Sequence, residues 1–212
     1  MFKRIIVTFA FAILLSSGPV NAQHHGHSGH SAPAANAALT PAAKAFAQAN
    51  AKMHRDMNVP LSGNADADFV RSMIPHHQGA VEMAEIILNF GRKPEIAKLA
   101  GEIIAAQKRE IAEMTTWLEK NPSPAAQPEA AGIRAAFAAA NATMHRDMTI
   151  DYSQDSEKDF MRGMIPHHEG AVAMAKILQQ FGRDPELLKL AANVIRSQND
   201  EITLMKKWLA EP

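Results

Sequence analysis

The chain has 212 residues, enough for one or two compact domains with a real core. Its 22 lysines and arginines balance 22 aspartates and glutamates, and they are nowhere dense enough in basic charge to point to nucleic acid. There is no cysteine, so disulfides and thiolates are excluded, and a soft metal ion would have to take its sulfur from methionine.

In chain order, "MFKR" supplies a positive start, "IIVTFAFAILL" a short apolar run, and Val20-Asn21-Ala22 a signal-peptidase pattern. Residues 1–22 therefore read as an export signal, with an uncleaved anchor as the alternative. The apolar run is about half of the ~20 residues a bilayer span needs, so no stable span is expected after cleavage. The expected location is the periplasm or the exterior. Residues 23–39, containing "QHHGHSGHSAPAANAA", are small, polar and expected to be disordered, with His24, His25, His27 and His30 as a flexible metal-capturing tract. A mature terminus at Gln23 would offer an amine, two amides and the His25 imidazole, a square-planar set for Cu(II) or Ni(II).

The rest is rich in alanine, leucine, lysine and glutamate, lacks period-two β-branched runs, and predicts an all-α fold. A first helix is expected over Pro41–Met57, with Thr40 as N-cap and the "NVPLSGNAD" turn cluster after it. A second is expected from Asp66 to Phe90, closed by Gly91, and a third from Pro94 to Glu119. "NPSPAAQPEAAG" then reads as a linker, residues 120–131. Helices over Ile133–Met148, Glu157–Phe181 and Pro185–Ala210 follow.

Those last three helices restate the first three. Asn50–Leu118 set against Asn141–Leu209 gives 37 identities in 69 positions without a gap. Residues 40–119 and 132–212 are thus expected to be two copies of a three-helix unit in pseudo-twofold relation, with helices two and three of each packed antiparallel. Leu99, Ile103, Ile104, Ile111, Met114 and Leu118 form a core-facing stripe, as do Leu190, Val194, Ile195, Ile202, Met205 and Leu209. Met114 and Met205 read equally as core filler or as ligands.

The methionines and histidines follow the repeat. Met53/Met144, Met57/Met148, Met73/Met164, Met83/Met174 and Met114/Met205 pair, as do His54/His145, His76/His167 and His77/His168. Outside the expected signal, only Met161 stands alone among the methionines, opposite Val70. Methionine in a core exchanges cheaply with leucine or isoleucine, so its retention between diverged copies asks for a further reason. Met73 lies three and four residues before His76 and His77, and Met83 seven after His76, all on one helical face. Met53, His54 and Met57 make a second such face. Thioethers with imidazoles suit Cu(I); imidazole also suits Cu(II), zinc or nickel. Against this stands the plain reading that the histidines cap backbone groups and the methionines fill gaps. Pro75 either kinks a continuous helix or begins a new one.

"MIPHHQGAVEMA" and "MIPHHEGAVAMA", with "QKREIAEM" and "QNDEITLM" downstream, resemble domain-of-unknown-function family 305. That is a ferritin-like helical family whose periplasmic CopM-type members bind copper. The resemblance implies an antiparallel helical-bundle fold and a role in periplasmic copper handling, with metal ions and other copper-handling proteins as partners. By motif it makes His76, His77 and Met83, with His167, His168 and Met174, the candidate ligands. His54 and Met57, with His145 and Met148, match the family's upstream element.

Three functions remain in view: a non-catalytic copper-binding protein, a di-iron or di-manganese oxidoreductase, and a helical interaction module without metal. The second wants Glu-x-x-His pairs and several carboxylates. No such pair is present; Asp56/Asp147, Asp68/Asp159 and Glu95/Glu186 read as caps or solvated faces, and Glu110/Glu201 with Gln107/Gln198 are the acidic and amide pairs to inspect. No nucleophile arrangement or phosphate-binding loop is present, so no catalytic residue is expected.

Overall fold

A computed structural model describes residues 38–211, so the expected signal and the histidines of the tail lie outside the described residues. Residues 38–211 form one compact helical unit, without strands among the described residues. The helices are α1 (Pro41–Asp56), α2 (Ala65–Phe90), α3 (Pro94–Lys120), α4 (Ala130–Asp147), α5 (Ser156–Phe181) and α6 (Pro185–Ala210).

The expected punctuation is present. Thr40 accepts the Ala43 N–H at 3.0 Å and caps α1, with Pro41 in the first turn. Asn64 and Asp155 cap α2 and α5 in the same way. Asp68 is fully buried and gathers the preceding loop, accepting from Ser62 N, Ser62 Oγ and Gly63 N at 2.6–2.8 Å. Gly63 is the one glycine at positive φ among the described residues, +82°, in that same loop. Pro75 and Pro166 lie inside continuous helices, which settles the alternative left open above. Each proline leaves the carbonyl four residues earlier without its helical donor.

The repeats are joined through their middle helices. Asp66, at the start of α2, accepts from Arg183 N and Asp184 N just beyond α5. Glu157, at the start of α5, accepts from Arg92 N just beyond α2. The start of each helix therefore lies by the end of the other, and α2 and α5 run antiparallel about a pseudo-twofold axis. A three-residue turn returns α3 along α2 and α6 along α5. Trp117, near the end of α3, donates to Asp184 before α6, while Lys93, before α3, lies over the Trp208 ring near the end of α6.

The core crosses the same axis. Phe46 of α1 packs on Phe160 of α5 with ring centroids 6.4 Å apart. The stretch between α3 and α4, expected as a spacer, is pinned: Gln127 accepts from Ala65 N at 2.8 Å and donates to Phe181 O at 3.0 Å. That one amide ties the start of α2 to the end of α5.

Candidate metal centre

Adjacent residues on a helix point about 100° apart, and the double histidine uses this. His76 turns toward α5 and His77 toward α3. All four of His76, His77, His167 and His168 are completely buried. The His76 Nε2–H donates to the His167 carbonyl at 3.1 Å, and the His167 Nε2–H donates to the His76 carbonyl at 3.0 Å. Their ring centroids are 3.8 Å apart. The His77 Nε2–H donates to Glu110 at 2.7 Å, and the His168 Nε2–H donates to Glu201. Successive centroids along His77, His76, His167 and His168 are separated by 5.9, 3.8 and 6.0 Å, a row of four imidazoles across the axis with a carboxylate at each end.

The acceptors decide the tautomers. A carbonyl or carboxylate oxygen can only accept, so the proton sits on Nε2 in each ring. The four Nδ1 atoms are buried and have no hydrogen-bond partner among the described residues. Burial first, and the neighbouring imidazoles second, hold His76 and His167 well below the usual histidine range. Both rings are therefore neutral at pH 7 and carry a lone pair on Nδ1. Unpartnered buried polar atoms cost about 1–3 kcal/mol each, so this arrangement is costly unless something binds there.

A second histidine pair lies on the axis where α1 and α4 end. His54 and His145 stack at 3.8 Å with planes 13° apart, and both Nε2 atoms are buried without a partner among the described residues. Burial, and then the His145 ring, lowers His54 to about 4; burial lowers His145. These two rings border a surface pocket of about 490 Å³ shared with Met57 and Asn141. The structure joins His54 to His145 and His76 to His167, so the pairs form between the two halves of the chain.

The paired thioethers are all buried: Met53, Met57, Met73, Met83 and Met114, with Met144, Met148, Met164, Met174 and Met205. A Cβ at Gly79, one turn after His76, would come within 2.6 Å of the Met53 sulfur; at Gly170 it would meet the Met144 sulfur at 2.9 Å. Glycine at these positions lets a methionine of α1 or α4 lie against the backbone of the histidine helix. Met83 crosses from α2 to α5, its Cε 3.0 Å from the Cβ position of Gly163, four residues before His167. Among the described residues no three His, Asp or Glu side chains converge into one cluster. Glu110 and Glu201 bond the histidines, and Gln107 and Gln198 are buried with unpartnered Oε1 atoms among the described residues. The signal for them was their retention in both copies of α3 and α6.

The family model described as "Domain of unknown function (DUF305)" matches residues 66–209 as a single span running across both repeats. Among solved structures, CopM in its Cu(I)-bound form is 39% identical, with 68% of this chain and 94% of that chain covered and a TM-score of 0.52. A DUF305 fragment from Deinococcus radiodurans is 27% identical, covering 71% and 98%, with a TM-score of 0.52. A DUF305 protein from Streptomyces coelicolor is 29% identical, covering 70% and 92%, at 0.56. Uncharacterized protein L153 of Acanthamoeba polyphaga mimivirus is 40% identical over 55 residues; the match takes in 26% of this chain and 36% of that protein. The span of the match leaves one conclusion: the chain belongs to the DUF305 family.

Proposed function

We propose that this is an exported copper-binding protein that buffers Cu(I) in the periplasm or outside the cell. Histidine and methionine side chains of both repeats would hold the ion. The observation that carries the reading is the set of buried, unpartnered imidazole nitrogens among buried methionines. Soft thioethers and neutral imidazoles favour Cu(I), and a neutral donor set adds no charge of its own to a monovalent ion. The candidate ligands are His76, His77, Met83, His167, His168 and Met174. His54, Met57 and His145 stand at the pocket, and Met148, Met53, Met73 and Met114, with the repeat equivalents of the last three, are buried in the interior. CopM, 39–40% identical, has been solved in apo, Cu(I)-bound and Ag-bound forms, and at 37% identity in a Cu(II)-bound form, which supports a copper ligand. Export rests on the N-terminal signal pattern; no helix among the described residues is long and apolar enough to cross a membrane. The histidines His24, His25, His27 and His30 would capture Cu(II) ahead of the interior.

An oxidoreductase of the di-metal type would need several carboxylates around a metal pair. Glu110 and Glu201 each face one imidazole instead. The experiment that tests the copper reading is a competition titration of purified protein with Cu(I), Cu(II), Zn(II) and Fe(II). Tight Cu(I) binding is expected, lost when His76, His77 and Met83 and their repeat equivalents become alanine. Micromolar or weaker Cu(I) binding that the substitutions leave unchanged would overturn it.

A further inference from the structure

Glu110 and Glu201 each occupy the Nε2 side of a histidine that already has a backbone-locked neighbour. We infer that these glutamates are positioning residues that fix His77 and His168 as Nε2–H tautomers, so that Nδ1 is the atom each ring presents to the metal; this rests on the copper reading above. The argument starts from donor and acceptor capacity. An ionised carboxylate accepts and never donates, so an Nε2 lone pair facing it would be repelled, whereas an Nε2–H is held at 2.7 Å. The other nitrogen of the ring then carries the free lone pair. In both rings that Nδ1 is buried and unpartnered among the described residues.

Geometry makes the lock firm. Glu110 sits midway along the 27-residue α3, and Gln107 and Met114 lie on the same face, three residues before and four after. His77 is likewise midway along α2, where Pro75 is buried. Two packed helices therefore hold the two halves of the bond, and the ring has no freedom to turn and offer Nε2. His76 and His167 are locked by the same logic through each other's carbonyls. All four rings thus anchor through Nε2 and present Nδ1. A carboxylate behind a metal-bound imidazole also raises ring basicity, and removing such a partner weakens metal binding by about 10–100-fold.

Two readouts on the full chain test this. In metal-free protein at pH 8, nitrogen-15 shifts of His77 and His168 should show a protonated Nε2 and an unprotonated Nδ1. In Glu110→Gln with Glu201→Gln, an amide that can donate as well as accept replaces an acceptor-only group at equal size. The tautomers should become mixed, and Cu(I) affinity by competition should fall about 10–100-fold. A proton on Nδ1 in the unsubstituted protein overturns the inference. So does a glutamine variant that keeps both its tautomer and its affinity, since that marks the glutamates as merely structural. If the tautomer is as described but no Cu(I) binds, the copper reading falls and the lock stands.

Discussion

The metal-free protein should lose stability as the pH drops from 7 to 5, and the histidines on the pseudo-twofold axis set how much. Burial holds His76 and His167 well below the ordinary value of 6.5, so the fold keeps them neutral. Unfolded, the same rings bind a proton near 6.5. Stability is thus fully present above about 6.5 and falls as the pH drops from there toward the folded values. Each proton taken up only by the unfolded chain removes about 1.4 kcal/mol per pH unit. Integrated from pH 7 to 5, that is about 2 kcal/mol per ring, or about 4 kcal/mol for the pair. A small domain has about 5–15 kcal/mol in all, so the loss is large. His54 and His145 act in the same direction but are partly solvated, and their share is left out of this figure. Urea unfolding followed by circular dichroism at 222 nm, with chelator present, measures the change. A His76→Gln, His167→Gln double variant should flatten the dependence by about the same 4 kcal/mol. A wild-type stability that varies by less than about 1 kcal/mol across this window would refute the claim that the rings stay neutral and buried.

Two further substitution sets separate packing from ligation. Gly79→Ala places a Cβ within 2.6 Å of the Met53 sulfur and should cost about 1–3 kcal/mol in urea unfolding. Gly101→Ala, where the new methyl meets nothing within 4 Å, should stabilise α3 by about 0.5–1 kcal/mol. Met83→Leu with Met174→Leu keeps volume and apolarity, so stability should change by less than about 1.5 kcal/mol per site, while Cu(I) affinity falls by at least tenfold. Unchanged affinity in that variant would return these methionines to the role of core filler.

Local chemistry made the helices legible. Proline at the first turn of α1, α3 and α6, Thr40 as cap, and Gly91 and Gly182 as stops place most boundaries within one or two residues. The start of α4 was set three residues late, at Ile133 rather than Ala130, because no side-chain cap marks it. Buried methionine and histidine were legible from spacing and repetition. What periodicity could not convey is which surface each face meets. Residues on one stripe are known to share a side, but the partner across that side depends on tertiary docking. His76 and His77 are neighbours in the chain, yet one belongs to the α2–α5 contact and the other to the α2–α3 contact. Glu110 reads as a solvated helix charge until α3 is laid against α2. Asp68 is an instance of the same gap: its spacing reads as a cap, and only the folded loop shows it buried under three donors.

The reciprocal bonds between His76 and His167 join residues 91 positions apart. Such contacts require the chain to close a long loop, which costs conformational entropy. A nascent or clipped chain that ends before α5 has the ligand types of the first repeat but no carbonyl to orient His76 and no Gly163 for Met83 to cross. Assembly of the histidine row therefore reports completion of the whole bundle.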